Sequence, residues 1–507
     1  MSKSPLGISP DSSAHISGGV LDRRRAGVLL HVTSLPGPDL TGDLGPEARN
    51  FIEFLVDSGV SVWQMLPVGP TQADASPYQT RSTHAGDPRL ISLEPLLAKG
   101  WLSPEERPDS PISPEAKHWA IGRAWEGFRS RADGQARQAL EHFDQIHRYW
   151  LEDYLLFQAI SEEQMCGWWD WPKPLRRRQA GALLEARTRL QARLEVLHFE
   201  QFLFFQQWYA LREYAHTRGL RLFGDMPIFV AQDSAEVWAR PQDFDLLANG
   251  QPRVVAGVPP DYFSATGQRW GNPLYRWDRM AADGFSFWVE RIKTQLSLFD
   301  LIRIDHFRGF EAYWEIPANE TNAIRGRWVE GPGKPLFDQL HDVFGHCLPL
   351  VAEDLGIITP GVEALRRHLM IPGMRVLQFA FSGDVDNPYL SYNHTPDSVV
   401  YTGTHDNDTT WAWWHDLDNP AKDRIQRFLG YPGEALPWAL IRSALRSVAR
   451  LAVIPMQDLL ELGHGHRMNH PGTLGHHNWH WRFRWEMVDS SLPQRLREMI
   501  RSYGRLP

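Results

Sequence analysis

The chain has 507 residues, of which 42 % are hydrophobic and 22 % charged, the balance of a globular protein and not of a disordered one. Acidic residues outnumber basic ones by 61 to 53 for a net charge of -8, with no basic stripe to neutralise a phosphate backbone, which argues against a nucleic-acid partner. No stretch has the roughly eighteen consecutive apolar residues of a membrane span, nor does the N-terminus carry a signal-peptide core, so neither membrane insertion nor secretion by that route is expected.

Residues 1–22, rich in Ser, Pro and Gly, read as a loose tail, and 23–507 as a single domain. Short β-branched runs that end in polar residues then recur along the chain: 26–34, 60–68, 220–230, 301–307, 350–356, 374–381, 399–406 and 451–458. Most begin as near-continuous apolar runs, as parallel strands covered on both faces do, and helical stretches separate many of them. Eight such units predict an α/β fold, a (β/α)8 TIM barrel. Between the second and third runs, about 95–218 reads as a helical insertion. Ser113-Pro114 is an N-cap followed by proline at the first helical position, Ile146, Tyr149, Trp150, Tyr154, Phe157 and Ile160 fall at helical spacing, and Gly219 stops a second amphipathic run. A further insertion, about 231–285, is rich in Pro, Gly and aromatics and reads as a long ordered loop on the catalytic face. Two cysteines, Cys166 and Cys347, lack metal-ligand spacing and are expected as buried thiols in a reducing cytoplasm.

Several runs end in groups suited to chemistry, on the face where barrel enzymes place their sites. Side chains two apart on a strand share a face, so Arg303 lies beside Asp305, and a guanidinium there is expected to lower the carboxyl's pKa. Glu353 ends the next run, on a neighbouring strand. Two adjacent carboxyls do not readily ionise together: one stays charged as nucleophile and the other keeps a proton as general acid, the arrangement of retaining glycosidases at about 5 to 5.5 Å. Asp305, with its arginine, is the better nucleophile, which leaves Glu353 as acid/base. His405 and Asp406 end the seventh run; as sequence neighbours they are not both expected to point inward from a regular strand.

At SPY (76–78), GDMPIFVA (224–231), GVPPDYFS (257–264), GQRWGNP (267–273), RIDHFRG (303–309), AEDLG (352–356), THDND (404–408) and RMNHPGT (467–473) the sequence resembles the amylomaltases, the 4-α-glucanotransferases of glycoside hydrolase family 77. The resemblance runs from about Gly27 to the end of the chain and implies transfer of α-1,4-glucan segments to the 4-hydroxyl of an acceptor glucan or glucose. It makes Asp305 the nucleophile, Glu353 the acid/base and Asp406 a third carboxylate at the 2- and 3-hydroxyls. Arg303 and His405 then surround the reacting sugar, Tyr78, Asp225, Trp270 and Asn469 bind substrate, and Asp261, Tyr262 and Phe263 belong to a loop over the cleft. One departure is Asp87 where many relatives have Asn.

The rival readings are an α-amylase-type hydrolase, disfavoured because only about fifty residues follow the eighth run, too few for a C-terminal β-domain, and a non-catalytic glucan-binding protein. No cofactor is required by the mechanism. Six histidines between 464 and 480 lack HExxH spacing and an acid to complete a set, so no metal is expected. GPGKP at 331–335 lacks the phosphate-loop spacing. Oligomeric state is not readable from the sequence.

Overall fold

The computed structural model describes residues 19–260, 264–356, 358–473, 475 and 477–507. Eight parallel strands close into a barrel in chain order: Arg25–Leu29, Val62–Gln64, Arg221–Pro227, Leu301–Asp305, Leu350–Ala352, Gly373–Val376, Ser398–Tyr401 and Leu451–Pro455. Every predicted run supplies one of them. The first and eighth strands close the ring with Arg25 opposite Leu451 and Leu29 opposite Pro455, and all ten of their residues are buried, as expected of strands covered on both faces.

The strands are shorter than the runs. The fifth stops at Ala352 and the seventh at Tyr401, so Glu353 stands at the last ladder bond, and His405 and Asp406 on backbone that has already left the ladder. Past the fifth strand the chain is fixed by Asp354, whose Oδ1 accepts from the N–H of Met374 at 2.6 Å. A Cβ on Gly373 would lie 2.1 Å from Asp354 Oδ2, so only glycine admits that carboxylate to the next strand.

Helices fill the insertion between the second and third strands, among them Pro114–Arg131, Gly134–Gln164 and Gln191–Thr217. Ser113 caps the first of these by accepting from Ala116 N–H at 3.2 Å, with Pro114 at its first position, and Gly219 ends the last with φ at +76°. Aromatic rings hold the long helices together, as in His147 against Phe205 at 4.3 Å. Trp208 anchors them to the barrel: its ring meets Phe299 at 5.3 Å and its indole N–H donates to Leu298 O at 3.0 Å.

Two expectations are corrected. Residues 231–285 do not form one long loop: Val254–Val258 and Gln268–Pro273 join Ala312–Pro317 and Arg327–Glu330 in a four-stranded antiparallel sheet. Two of those strands come from the far side of the fourth barrel strand, a pairing that local pattern does not reveal. Cys166 and Cys347 are both exposed free thiols, since neither sits on the apolar face of a packed element. Among the described residues no helix is long and apolar enough to cross a membrane.

Arg505, 0 % exposed, seals the barrel where its first and last strands begin. Its guanidinium donates to Leu445 O, Arg25 O, Ser447 O and Ala449 O at 2.7 to 2.9 Å, and burial pulls its pKa down to about 9. Replacing Arg505 with Met leaves those carbonyls unsatisfied at a buried seam, and is expected to destabilise the protein by at least about 3 kcal/mol. A urea midpoint equal to that of the parent protein would refute this role.

Candidate active site

Strand register assembles the site. Asp225 on the third strand and Arg303 on the fourth are direct partners, and both are buried. The Arg303 guanidinium bridges two carboxylates, donating from Nη1 to Asp225 Oδ2 at 2.6 Å and from Nη2 to Asp305 Oδ1 at 2.8 Å. This is the charged pair that alternation places on one face. Tyr78 extends the network: its O–H donates to Asp225 Oδ2 at 2.8 Å, and its phenol oxygen meets His405 Nε2 at 2.9 Å. Its ring stacks on that histidine with centroids 5.3 Å apart. Burial first, and the Asp225 charge second, push the Tyr78 phenol well up, so it stays a neutral donor.

Glu353 stands one residue beyond the paired Ile304 and Ala352, level with Asp305 on the adjoining strand, where neighbouring strands lie about 4.8 Å apart. Its own N–H continues the ladder to Ile304 O at 3.0 Å. Each carboxyl oxygen accepts one backbone N–H, Oε2 from His306 at 2.8 Å and Oε1 from Leu355 at 3.0 Å. To present that N–H, His306 adopts the left-handed conformation, φ 54°, at a cost of about 1–3 kcal/mol of the kind functional sites retain.

Both carboxyls are pushed above their ordinary range, Asp305 to about 6 and Glu353 to about 7. Burial is the largest cause in each, and Arg303 opposes it in each. The expectation that Arg303 would leave Asp305 with a lowered pKa is therefore corrected: the guanidinium does pull downward, but it is shared with Asp225, whose charge, like that of Asp406, raises Asp305. The order of the pair survives. Arg303 bonds Asp305 directly and acts on Glu353 only through space, while the charge of Asp305 raises Glu353, so Glu353 is the group that keeps its proton.

His405 and Asp406 lie in the turn after the seventh strand, and both face the same space, with His405 Nε2 3.4 Å from Asp406 Oδ1. The alternation argument does not apply to them, because the strand ends at Tyr401. Asn469 donates from Nδ2 to Asp406 Oδ1 at 2.7 Å, so the RMNHPGT segment reaches the site as expected. Trp270, on the antiparallel sheet, meets His306 edge to face at 4.8 Å. Asp261, Tyr262 and Phe263 lie outside the described residues.

Three further residues belong to the constellation and were missed. Arg467 donates to Asp406 O and to Asn469 O, each at 2.7 Å. Trp479 packs near Tyr78 and His405, with centroids 5.8 and 6.1 Å away. His306 serves through its backbone. Arg467 and His306 stand inside motifs already singled out, whereas nothing local marked Trp479. Of the histidine-rich segment, His464 gathers with Asp408 and Asp416, donor atoms within 4.8 Å of one another. Acids do therefore approach one of these histidines, contrary to the sequence reading, although Asp408 also faces Arg467 at 3.6 Å. Lys334 of GPGKP opens a helix and pairs with Asp338. Asp87 caps Pro88–Leu90 and pairs with Arg89 at 2.6 Å.

Comparison with known proteins supplies independent evidence. Residues 30–488 match the glycoside hydrolase family 77 pattern, described as 4-alpha-glucanotransferase. The 4-alpha-glucanotransferase of Thermus thermophilus is 49 % identical, covering 95 % of this chain and 99 % of that protein. The chloroplastic/amyloplastic 4-alpha-glucanotransferase of Solanum tuberosum is 44 % identical over 96 % of this chain and 87 % of its own length. The structure of the amylomaltase from Streptococcus agalactiae in complex with acarbose superposes with a TM-score of 0.91 at 35 % identity, covering 96 % of this chain and all of that one. By sequence, by fold and by the length over which they agree, this chain belongs to the 4-alpha-glucanotransferases of glycoside hydrolase family 77.

Proposed function

We propose that Asp305, Glu353 and Asp406 carry out the family's glucan transfer as a retaining double displacement. The observation that carries this reading is the unequal treatment of two level carboxyls: Arg303 bonds Asp305 and not Glu353. Asp305 attacks the anomeric carbon of an α-1,4-linked donor while Glu353 gives its proton to the departing glycosidic oxygen, and the released glucan leaves with a free 4-hydroxyl. Glu353, now ionised, takes the proton from the 4-hydroxyl of an acceptor glucan or glucose as that oxygen displaces Asp305. Asp406, held by Asn469, accepts hydrogen bonds from the 2- and 3-hydroxyls, which strengthen as positive charge builds on the ring.

Tyr78 and His405 border the same sugar, Arg303 and Asp225 lie buried beneath it, and Asn469 reaches it beside Asp406. Trp270 offers an apolar face next to His306, and loop residues Asp261, Tyr262 and Phe263 hold the acceptor. A positioned hydroxyl outcompetes water through its high effective concentration, which is what makes such a site a transferase and not a hydrolase. No step needs a cofactor. Residues 23–507 act as one catalytic unit, and two exposed free thiols suit a reducing cytoplasm.

Incubation with maltotriose is expected to give glucose together with a ladder of longer oligomers; shortening without elongation would identify a hydrolase. Glu353→Gln is expected to lose about 10²–10⁴-fold in kcat on maltotriose but to recover its first step on an α-maltosyl fluoride, whose leaving group needs no proton. Asp305→Asn should be inactive on both donors, and activity of that variant on either would exclude it as nucleophile.

The pair also sets a pH profile. Asp305 must be ionised, so activity rises as pH climbs through about 6, and Glu353 must be protonated, so activity falls as pH climbs through about 7. A bell-shaped kcat/KM with its optimum between those values is expected, the two limbs belonging to the coupled pair. A profile that stays flat from pH 5 to 9 with chemistry rate-limiting would contradict the assignment.

A further inference from the structure

Asp458, on the short helix Met456–Leu459 after the eighth strand, lines a small cavity behind His405 and Arg467. It is 1 % exposed, and its partners among the described residues are two hydroxyls and an amide. Oδ2 accepts from Thr402 Oγ1 and Thr410 Oγ1, each at 2.6 Å, and Oδ1 from the N–H of Thr410 at 2.7 Å. A carboxylate buried without a cation is expensive, and apolar packing of the same volume would hold the fold as well or better. What apolar packing would not do is fix two separate points of the chain by direction.

Those two points matter. Thr402 is the first residue past the seventh strand and Thr410 the first of the helix Thr410–Asp416, and both are 0 % exposed. Between them runs the turn that carries His405 and Asp406. The Asp406 side chain is 46 % exposed, so packing does not aim it; hydrogen bonds must. The middle of the turn has its own ties, Asn407 Oδ1 accepting from the N–H and O–H of Thr404 at 2.9 Å and Gln378 Nε2 donating to Asp408 O at 3.0 Å. Its ends have weaker ties of their own, Gln378 N–H to Thr402 O at 3.3 Å and Thr409 Oγ1 to Gly463 O at 3.4 Å, and Asp458 joins the two ends to each other.

We propose that Asp458 is a positioning residue for Asp406, one buried carboxylate that pins both ends of the 403–409 turn and so sets the direction of the third carboxylate. This rests on the reading of Asp406 given above. Displacement of a reacting group by about 1 Å can cost on the order of 10²-fold in rate, and since Asp406 acts most strongly on the transition state, the loss falls on kcat and not on KM.

The test compares Asp458→Ala, Thr402→Val and Thr410→Val with the parent on maltotriose, with acarbose affinity and Tm measured alongside. Asp458→Ala is expected to lower kcat by about 10- to 10²-fold with KM within about threefold, and to weaken acarbose in step with kcat/KM. Asp458→Asn can accept from the Thr410 N–H and donate to both hydroxyls, and should recover most of that loss. A merely structural role would lower Tm and leave kcat per folded molecule unchanged, which overturns the proposal. Should Asp458→Ala not fold, the two valine variants decide by the same split. Asp406→Asn keeps the failures apart: if it retains full kcat, the reading of Asp406 falls, and if it is inactive while the Asp458 and threonine variants match the parent, the clamp alone falls.

Discussion

The site is organised around one buried cation. Arg303 stands at the mouth of the barrel with carboxylates on two sides, and burial works against its charge while Asp225 and Asp305 hold it protonated, well above its usual range. Removing a single partner from such a cluster leaves an uncompensated buried charge, which is far costlier than the net value of any one of its bonds. Arg303 also decides chemistry. Asp305 and Glu353 are both pushed up by burial, Asp225 and Asp406 raise Asp305 further, and two backbone N–H bonds lower Glu353, so the guanidinium bonded to Asp305 is what offsets the disadvantage of that carboxyl. The asymmetry that the proposed nucleophile and acid require comes from which carboxyl the arginine can reach.

That reach is a consequence of strand register. Direct pairing puts Asp225 opposite Arg303, alternation puts Asp305 two residues on along the same face, and the next strand delivers Glu353 level with it. Asp305 ends its strand and Glu353 follows the last residue of the next, so the backbone of each is fixed on one side and free to turn on the other. This explains why the barrel strands are short: the chain leaves the sheet where functional side chains begin. The barrel below is apolar and fully covered, and its closure by Arg505 lies at the opposite end from the chemistry.

What the sequence revealed follows the same division. The eight apolar runs mark the strands because burial on both faces leaves a continuous local signal, and RIDHFRG and AEDLG mark the catalytic face because charged residues end such runs. The antiparallel sheet was hidden, since Val254–Val258 pairs with Ala312–Pro317, more than fifty residues away, and no local pattern encodes that. The direction of the Asp305 pKa was misjudged for a related reason. Only Arg303 was visible beside it in the chain, whereas Asp225 and Asp406 reach it through the fold. Trp479 was missed because its place beside Tyr78 and His405 depends on a long return of the chain. The thiols were misplaced because cysteine is usually buried as a small hydrophobe, and neither lies on a packed face.

The remaining asymmetry in the site is one of exposure. Arg303 and Asp225 are sealed into the barrel, whereas the side chains of Asp305 and Asp406 keep 30 % and 46 % of their surface open to the cleft. A sugar ring entering that space displaces water from these two carboxylates and from Glu353 beside them, and the local dielectric falls. The Arg303–Asp305 attraction then strengthens, favouring the ionised form of Asp305 against the cost of its own burial. Glu353, with no guanidinium bonded to it, meets mainly the desolvation, which favours its protonated form. The difference between the two carboxyls is thus a product of register, because the strands have placed Arg303 nearer to one of them.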